Sequence, residues 1–278
     1  MLGHVACGEL ARSHDVVAIV RRTGNDAMKS SACLPASDLI TGVDALDTKR
    51  LESVLCDVGP EIVLNCVGLI KQRLETSDAM LAIEINALLP HRLARMCGKI
   101  GAKLVHVSTD CVFSGSRGNY AETDIPDAVD IYGRTKLLGE IAVQPHLTVR
   151  TSLIGPQLDG QEGLLEWFRA HRGCAIQGYS RAIFSGLTTK ALSRVLDQVF
   201  RSHASLSGLY HVASEPISKF ELLARLAARL DWPSVIASVD TPALDRTLNG
   251  QQFFLATGIQ MPTWDEMLDE LVLHLAQS

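Results

Sequence analysis

The chain has 278 residues, 47% hydrophobic and 21% charged, with 26 Lys plus Arg against 31 Asp plus Glu and a net charge of −5. A chain of this size and apolarity buries a substantial core as one large domain or two unequal ones, which excludes a disordered or fibrous protein. It has no contiguous basic block to mark a nucleic-acid footprint, no charged-then-apolar leader, and no aliphatic run near the ~18 residues that span a bilayer, so a soluble protein with small-molecule partners is expected.

The chain opens Met1-Leu-Gly-His-Val-Ala-Cys-Gly-Glu-Leu10, an apolar helical pattern with no strand before it. Asp15 to Val20, Glu61 to Asn65, Lys103 to Val107 and His146 to Val149 then read as buried strands, because parallel strands covered on both faces need continuous apolar runs. Between them fall amphipathic helices: Thr48 to Val58, with Leu51, Val54 and Leu55 at helical spacing, Leu81 to Ile100, and Ile131 to Val143. This alternation predicts an α/β fold with a doubly wound parallel sheet. The second half is less regular. Gly155-Pro156, Asp159-Gly160 and Gly178 punctuate turns around a helix at Leu164 to His171, and Thr188 to Arg201 is a helix that returns to the sheet. Gly208 to Val212 reads as a strand, Ser218 to Leu230 as a helix opened by a Ser218/Glu221 capping box, and Trp264 to Ala276 as a closing amphipathic helix.

The strongest chemical signal is Tyr132-Gly-Arg-Thr-Lys136, preceded at a strand end by Ser108-Thr-Asp110. Tyr and Lys four apart on a helix share one face, so the ammonium is expected to stabilise phenolate and bring the phenol toward neutrality as a proton donor. Thr109, at the C-terminal edge of the sheet, could supply a hydroxyl to the same substrate oxygen. Cys7, Cys33, Cys56, Cys66, Cys97, Cys111 and Cys174 are scattered without a C-x-x-C pair, and the nine histidines lack metal-ligand spacing. Reduced thiols in a cytosol and no metal site are expected, with Cys66, His91, His106 and His211 as packing or surface residues.

Val105-His-Val-Ser-Thr-Asp-Cys-Val-Phe-Ser-Gly115, Tyr120-Ala-Glu-Thr-Asp124, Tyr132-Gly-Arg-Thr-Lys-Leu-Leu-Gly-Glu140 and Val149-Arg-Thr-Ser152 resemble the dTDP-4-dehydrorhamnose reductase branch of the extended short-chain dehydrogenases/reductases. The likeness runs through nearly the whole chain and includes Asp245-Arg-Thr-Leu248, similar to an arginine-containing motif late in that family's second domain. It implies a Rossmann-like NADP-binding domain over 1–153 with 187–212, and a smaller substrate domain over 154–186 and 213–278. Asn65-Cys66-Val67-Gly68 resembles the segment under the nicotinamide-side ribose, and Asp44-Ala45 the adenine-side contact. Gly3 matches the third glycine of the family's Gly-x-x-Gly-x-x-Gly turn. About ten upstream residues carrying a central strand and the pyrophosphate cradle are therefore expected to belong to the protein, its start having been set at an internal methionine. Arg21 and Arg22, where an acidic residue would favour NAD, point to NADPH over NADH through a 2′-phosphate.

The implied reaction is hydride transfer from NADPH to the C4 ketone of a dTDP- or UDP-linked 4-keto-6-deoxyhexose, in surface polysaccharide synthesis. Tyr132 would protonate the alkoxide, Lys136 hold the nicotinamide ribose, and Thr109 hydrogen-bond the carbonyl. Asp110, Leu153 and Arg181 fall on the substrate side, Arg181 toward the diphosphate, while Asn86 is expected to make buried structural hydrogen bonds. Three positions depart from the pattern. Cys111 stands where relatives have tyrosine and dehydratases a catalytic glutamate, which disfavours dehydration. Leu153 replaces a pocket tryptophan, and Leu69 to Leu74 replaces a Val-Asp-x-Ala-Glu segment, so reaction class transfers better than substrate identity. The alternatives are a non-catalytic regulatory subunit like that of methionine adenosyltransferase and a nucleotide-sugar epimerase. The resemblance is compatible with a homodimer.

Overall fold

The computed structural model describes residues 1–23, 38–70, 79–158 and 162–277. The expected turn at Asp159-Gly160 and the Lys71 to Leu74 segment lie outside them.

Helix α1 (Leu2–Leu10) buries Leu2, Val5, Ala6 and Leu10. Two short parallel strands follow, β1 (Ala18–Ile19) and β2 (Leu39–Ile40), in register Ala18↔Leu39. Helix α2 (Thr48–Val58) spans the expected residues because its ends are marked chemically. The Asp47 side chain accepts from Arg50 N, and Gly59 takes the left-handed conformation (φ 60°) that terminates it. Strand β3 (Ile62–Asn65) leads to a helical stretch in three parts: α3 (Ala79–Ala82), a π-helical turn (Ile83–Leu88) and α4 (Leu89–Ile100), closed by left-handed Gly101. The sequence pattern showed one helix there. The widened i→i+5 turn, of a kind frequent at functional sites, lies within it and carries Asn86.

Strand β4 (Lys103–Val107) is followed by a 3₁₀ turn at Asp110–Val112, helix α5 (Ile131–Leu138), β5 (Leu147–Arg150) and β6 (Leu153–Ile154). Helix α5 stops five residues before the expected Val143. Its next residue, Gly139, packs so tightly on the π-turn that a Cβ there would lie 2.0 Å from Asn86 O. The second half adds α6 (Leu164–Ala170), β7 (Ala175–Tyr179), β8 (Ala182–Phe184), β9 (Leu187–Thr188), α7 (Thr189–Ser202) and β10 (Gly208–His211). It closes with β11 (Ile217–Ser218), α8 (Lys219–Arg229), β12 (Val235–Val239), β13 (Leu244–Asp245), α9 (Gln251–Thr257) and α10 (Trp264–Gln277).

The main sheet has order β10-β5-β4-β3, all parallel, with β1-β2 as a separate parallel pair. Small sheets β11-β8-β13, β12-β7 and β6-β9 form from the second half. The strands among these at 175–184 and 235–245 escaped the sequence reading, because two- to five-residue runs with exposed positions carry little periodicity. One apolar core joins Leu2 and Ala6 of α1, Val105, Leu147 and Val149 of the sheet, and Phe253, Trp264 and Leu268 of the last helices. A second fills the space under α2 and α4, with Leu51, Val54, Leu93 and Leu104. The chain is an α/β protein with a Rossmann-like parallel sheet. Among the described residues no helix is long and apolar enough to cross a membrane.

Candidate active site

The C-terminal ends of β3, β4 and β5 converge on one edge. The backbone beyond β4 stays zipped to its neighbour: Ser108 N donates to Val149 O (2.7 Å) and Asp110 N to Thr151 O (3.2 Å). Thr109, in extended conformation, caps the 3₁₀ turn, its Oγ1 accepting from Cys111 N at 3.1 Å and donating to Asp110 Oδ1 at 3.2 Å. Asp110 is buried, and burial raises its carboxyl above the ordinary value while Arg246 and the Thr109 and Ser152 hydrogen bonds oppose the rise.

Helix α5 is fastened over this turn. Asp130 Oδ1 accepts from Gly133 N at 2.8 Å, and a Cβ on Gly133 would lie 2.2 Å from Cys111 O, so the helix can come this close only with glycine there. That approach brings half-buried Tyr132 to Thr109, whose side chain acts to lower the phenol. Burial, helped by Cys111 and Asp110, pushes the phenol above its ordinary value of 10.0. The expected descent toward neutrality is corrected here. Lys136 does not serve the phenol; its Nζ donates to Val107 O at 2.7 Å and lies 3.4 Å from His106 Nε2. Burial lowers Lys136 to about 8, with Glu140 and Cys66 opposing.

Around this centre run two polar chains, of which the sequence reading had assigned only the Asn65 to Gly68 segment to the site. In one, Asn65 Nδ2 sits 3.1 Å from His106 Nδ1 and Asn65 Oδ1 accepts from Val67 N at 3.0 Å. In the other, Glu140 accepts from Ser108 Oγ (2.6 Å) and, through both oxygens, from Arg150 Nε and Nη2 (2.8 and 2.7 Å). Arg150 Nη1 reaches His211 Nε2 at 3.2 Å, and His211 Nδ1 reaches Tyr120 O at 3.0 Å. His106 and His211 are fully buried and hydrogen-bonded in these chains, and His91 lies on the surface. Asn86 makes the expected buried bonds, Oδ1 accepting from Leu69 N (2.9 Å) and Nδ2 donating to Leu69 O (3.2 Å) and Thr135 Oγ1 (3.4 Å). Arg246 comes from the far segment; its Nε donates to Phe113 O at 3.0 Å and its Nη1 reaches Cys111 Sγ at 3.6 Å. Its only sequence signal was the Asp245-Arg-Thr-Leu248 motif. The Cys111 thiol is pushed up to about 12 by burial and Asp110, which keeps it from the proton work of a dehydratase glutamate.

The other expected residues fall into three places. Cys66, Val67 and Gly68 are exposed beyond β3, Cys66 thus not the packing residue expected, and a Cβ on Gly3 would touch the Cys66 side chain at 3.5 Å. Arg21, Arg22 and Asp44 are exposed and Ala45 half-buried around the β1–β2 pair, where Arg22 O accepts from Gly42 N at 3.3 Å and Asp44 Oδ1 from Leu46 N at 2.9 Å. Arg181 is exposed before β8, and Leu153 is half-buried against the main core. Among the described residues, no hydrogen bond or ion pair joins Arg181 or Leu153 to Thr109 or Tyr132. No group of three His, Cys, Asp or Glu among the described residues could hold a metal ion.

The chain is similar to methionine adenosyltransferase 2 subunit beta of Mus musculus, at 25% identity over 262 residues covering 82% of this chain and 77% of that protein. It is also similar to dTDP-4-dehydrorhamnose reductase of Mycobacterium tuberculosis, at 40% identity over 88 residues covering 30% of this chain and 29% of that one. The fold matches that of dTDP-4-dehydrorhamnose reductase from Bacillus anthracis in complex with NADP, with a TM-score of 0.76 and 24% identity over 94% of this chain and 99% of that chain. The family model described as RmlD substrate binding domain matches residues 7–277. With that match running through Thr109, Tyr132 and Arg246 alike, the chain belongs to the RmlD family of dTDP-4-dehydrorhamnose reductases and their relatives.

Proposed function

We propose that the protein is an NADPH-dependent reductase of the 4-keto group of a nucleotide-linked 6-deoxyhexose, dTDP- or UDP-linked, serving surface polysaccharide synthesis in the cytoplasm. The observation that carries this reading is the Thr109–Tyr132 pair: a hydroxyl and a phenol held protonated by burial, brought together at the C-terminal edge of a parallel sheet. A regulatory subunit needs no such proton donor.

The residues present fit the cofactor. Cys66, Val67 and Gly68 are exposed, with Cys66 beside Gly3, and Arg21 and Arg22 offer guanidinium groups suited to a phosphorylated ribose. Asp44 and Ala45 would take the adenine side, and Lys136 the nicotinamide ribose. NADPH supplies the hydride when bound. Thr109 Oγ1 then orients the ketone oxygen, Tyr132 Oη gives its proton to that oxygen as it becomes an alkoxide, and the phenol regains a proton from solvent. Asp110, Leu153 and Arg181 are assigned to the sugar-nucleotide, Arg181 to its diphosphate. The two domains, 1–153 with 187–212 and 154–186 with 213–278, would bind cofactor and substrate respectively. The apolar side chains of Ile125 (87% exposed), Val129, Ile131 and Leu138 around α5, with Met80, Ile83 and Leu88 nearby in sequence to Asn86, support a homodimer.

A second reading draws on the mouse relative, whose name is that of a subunit of methionine adenosyltransferase. In it the chain binds NADP and a partner protein without turnover. The Tyr132→Phe variant separates the two. The reductase reading expects NADPH oxidation with a dTDP-4-keto-6-deoxyhexose to fall by about 10²-fold or more while NADPH binding is kept. A wild type that binds NADPH and reduces no nucleotide-linked ketosugar supports the regulatory reading instead.

A further inference from the structure

Lys136 is buried with a histidine, not a carboxylate, against its nitrogen. The order of hydrogen bonds around that histidine has one self-consistent solution. Val67 N is a backbone donor, so the Asn65 atom it meets at 3.0 Å is the carbonyl Oδ1. The other end of the same amide, 3.1 Å from His106 Nδ1, is therefore the NH₂ group, a donor. A ring nitrogen that accepts a hydrogen bond carries no proton, and neutral imidazole has one N–H, so the proton is on Nε2. Nε2 faces Lys136 Nζ at 3.4 Å. An ammonium at Nζ would set donor against donor, whereas an amine offers one lone pair to Nε2–H and keeps an N–H for Val107 O at 2.7 Å.

We propose that Asn65 and His106 are positioning residues that set the proton affinity of Lys136: the Asn65 amide selects the Nε2–H tautomer of His106, and that N–H, facing Nζ, disfavours the ammonium form of Lys136 in the unliganded protein. Two groups near Lys136 oppose this by favouring its ammonium form, Glu140 and Cys66, and burial outweighs them. Glu140, two residues past the end of the same helix, is committed to Arg150 and Ser108. Cys66 lies beyond β3, and His91 from α4 acts on His106 with the sign that keeps it neutral. Burial brings Lys136 down to about 8, so the residue exchanges its proton near neutral pH, where a ribose or substrate hydroxyl arriving at Nζ can decide its charge.

This inference uses the proposed cofactor role of Lys136 only for its purpose; its test is on the free protein. Imidazole-¹⁵N NMR shows which ring nitrogen bears the proton, and lysine ¹³Cε shifts follow Lys136, assigned by its loss in Lys136→Met. The expected result is His106 protonated at Nε2 alone at neutral pH, with Lys136 titrating near 8. In Asn65→Asp the carboxylate demands a proton on Nδ1, so the Nε2 signal converts to the unprotonated type and the Lys136 titration rises by about one unit or more. Adding His106→Leu to Asn65→Asp removes the part of that rise carried by the imidazole. A wild-type His106 proton on Nδ1, or a Lys136 titrating at its ordinary 10.5, overturns the proposal. Failure of the free protein to bind NADPH would instead overturn the reductase reading and leave these NMR results to stand.

Discussion

The α-carbon of Gly133 is set so close to Cys111 that a methyl group on it would lie 2.2 Å from the Cys111 carbonyl oxygen. The two residues belong to the helix that carries Tyr132 and the turn that carries Thr109, so their contact sets the distance between those two hydroxyls. Gly133→Ala should force α5 away from the turn, costing about 1–3 kcal/mol of stability and more in activity than in fold. Gly139→Ala, whose added methyl would meet Asn86 O at 2.0 Å, should destabilise to a similar degree. Thermal melts alongside NADPH oxidation rates check both, and a Gly133→Ala protein with wild-type turnover would contradict the argument.

Burial holds the Tyr132 phenol above 10.0, so a reductase using it as the acid keeps its proton donor through neutral and mildly alkaline pH. Ketone reduction should show no falling limb from Tyr132 between about pH 6 and 9. The reverse oxidation, which needs phenolate, should climb across the same range. Initial rates in both directions over that interval test the sign.

Arg150 and Glu140 are 4% and 7% exposed, a buried pair with bidentate geometry. Arg150→Met should cost about 3–5 kcal/mol because it strands a buried carboxylate, and adding Glu140→Gln should recover much of the loss. Urea denaturation of the two variants gives the comparison, and an additive double variant would show that the charges are not paired in solution.

Burial and Arg150 lower His211 from 6.5 to about 4. The unfolded chain binds this proton near 6.5 and the folded chain only near 4. The unfolded state therefore holds more protons in that interval, and stability falls as the pH drops through it. His211 accounts for up to about 3 kcal/mol of the loss, and His4, also lowered to about 4 by burial, acts in the same direction. The slope of unfolding free energy against pH from 7 down to about 4 should flatten in His211→Gln.

The elements that position the site were legible in the sequence where they carried their own signals. Thr48–Val58 begins at a capping aspartate and ends at a left-handed glycine, and Lys103–Val107 is apolar but for Lys103 and His106. Tyr132, Lys136 and Thr109 were legible through a motif. The partner of Lys136 was not, because spacing puts Tyr and Lys on one helical face without saying what the sheet beneath offers. Val107 O and His106 lie 29 and 30 residues away in sequence. Arg246 and Arg150 were hidden for the same reason: their contacts with Cys111 and Glu140 form only once the chain is packed. Sequence periodicity also cannot distinguish a π-turn from continuous α-helix over six residues.

The division of the parallel strands into a four-strand sheet and the β1–β2 pair sets where the molecule opens first. Amides in β4, hydrogen-bonded between β3 and β5 and buried along most of its length, exchange with deuterium only through near-global unfolding. Those of β1 and β2 share a two-residue ladder, so they exchange through a small local opening. The rim bearing Arg21, Arg22 and Asp44 thus takes up deuterium independently of the Thr109 turn, and a ligand engaging that rim registers as slowed labelling there while Thr109 and its neighbours keep their rates.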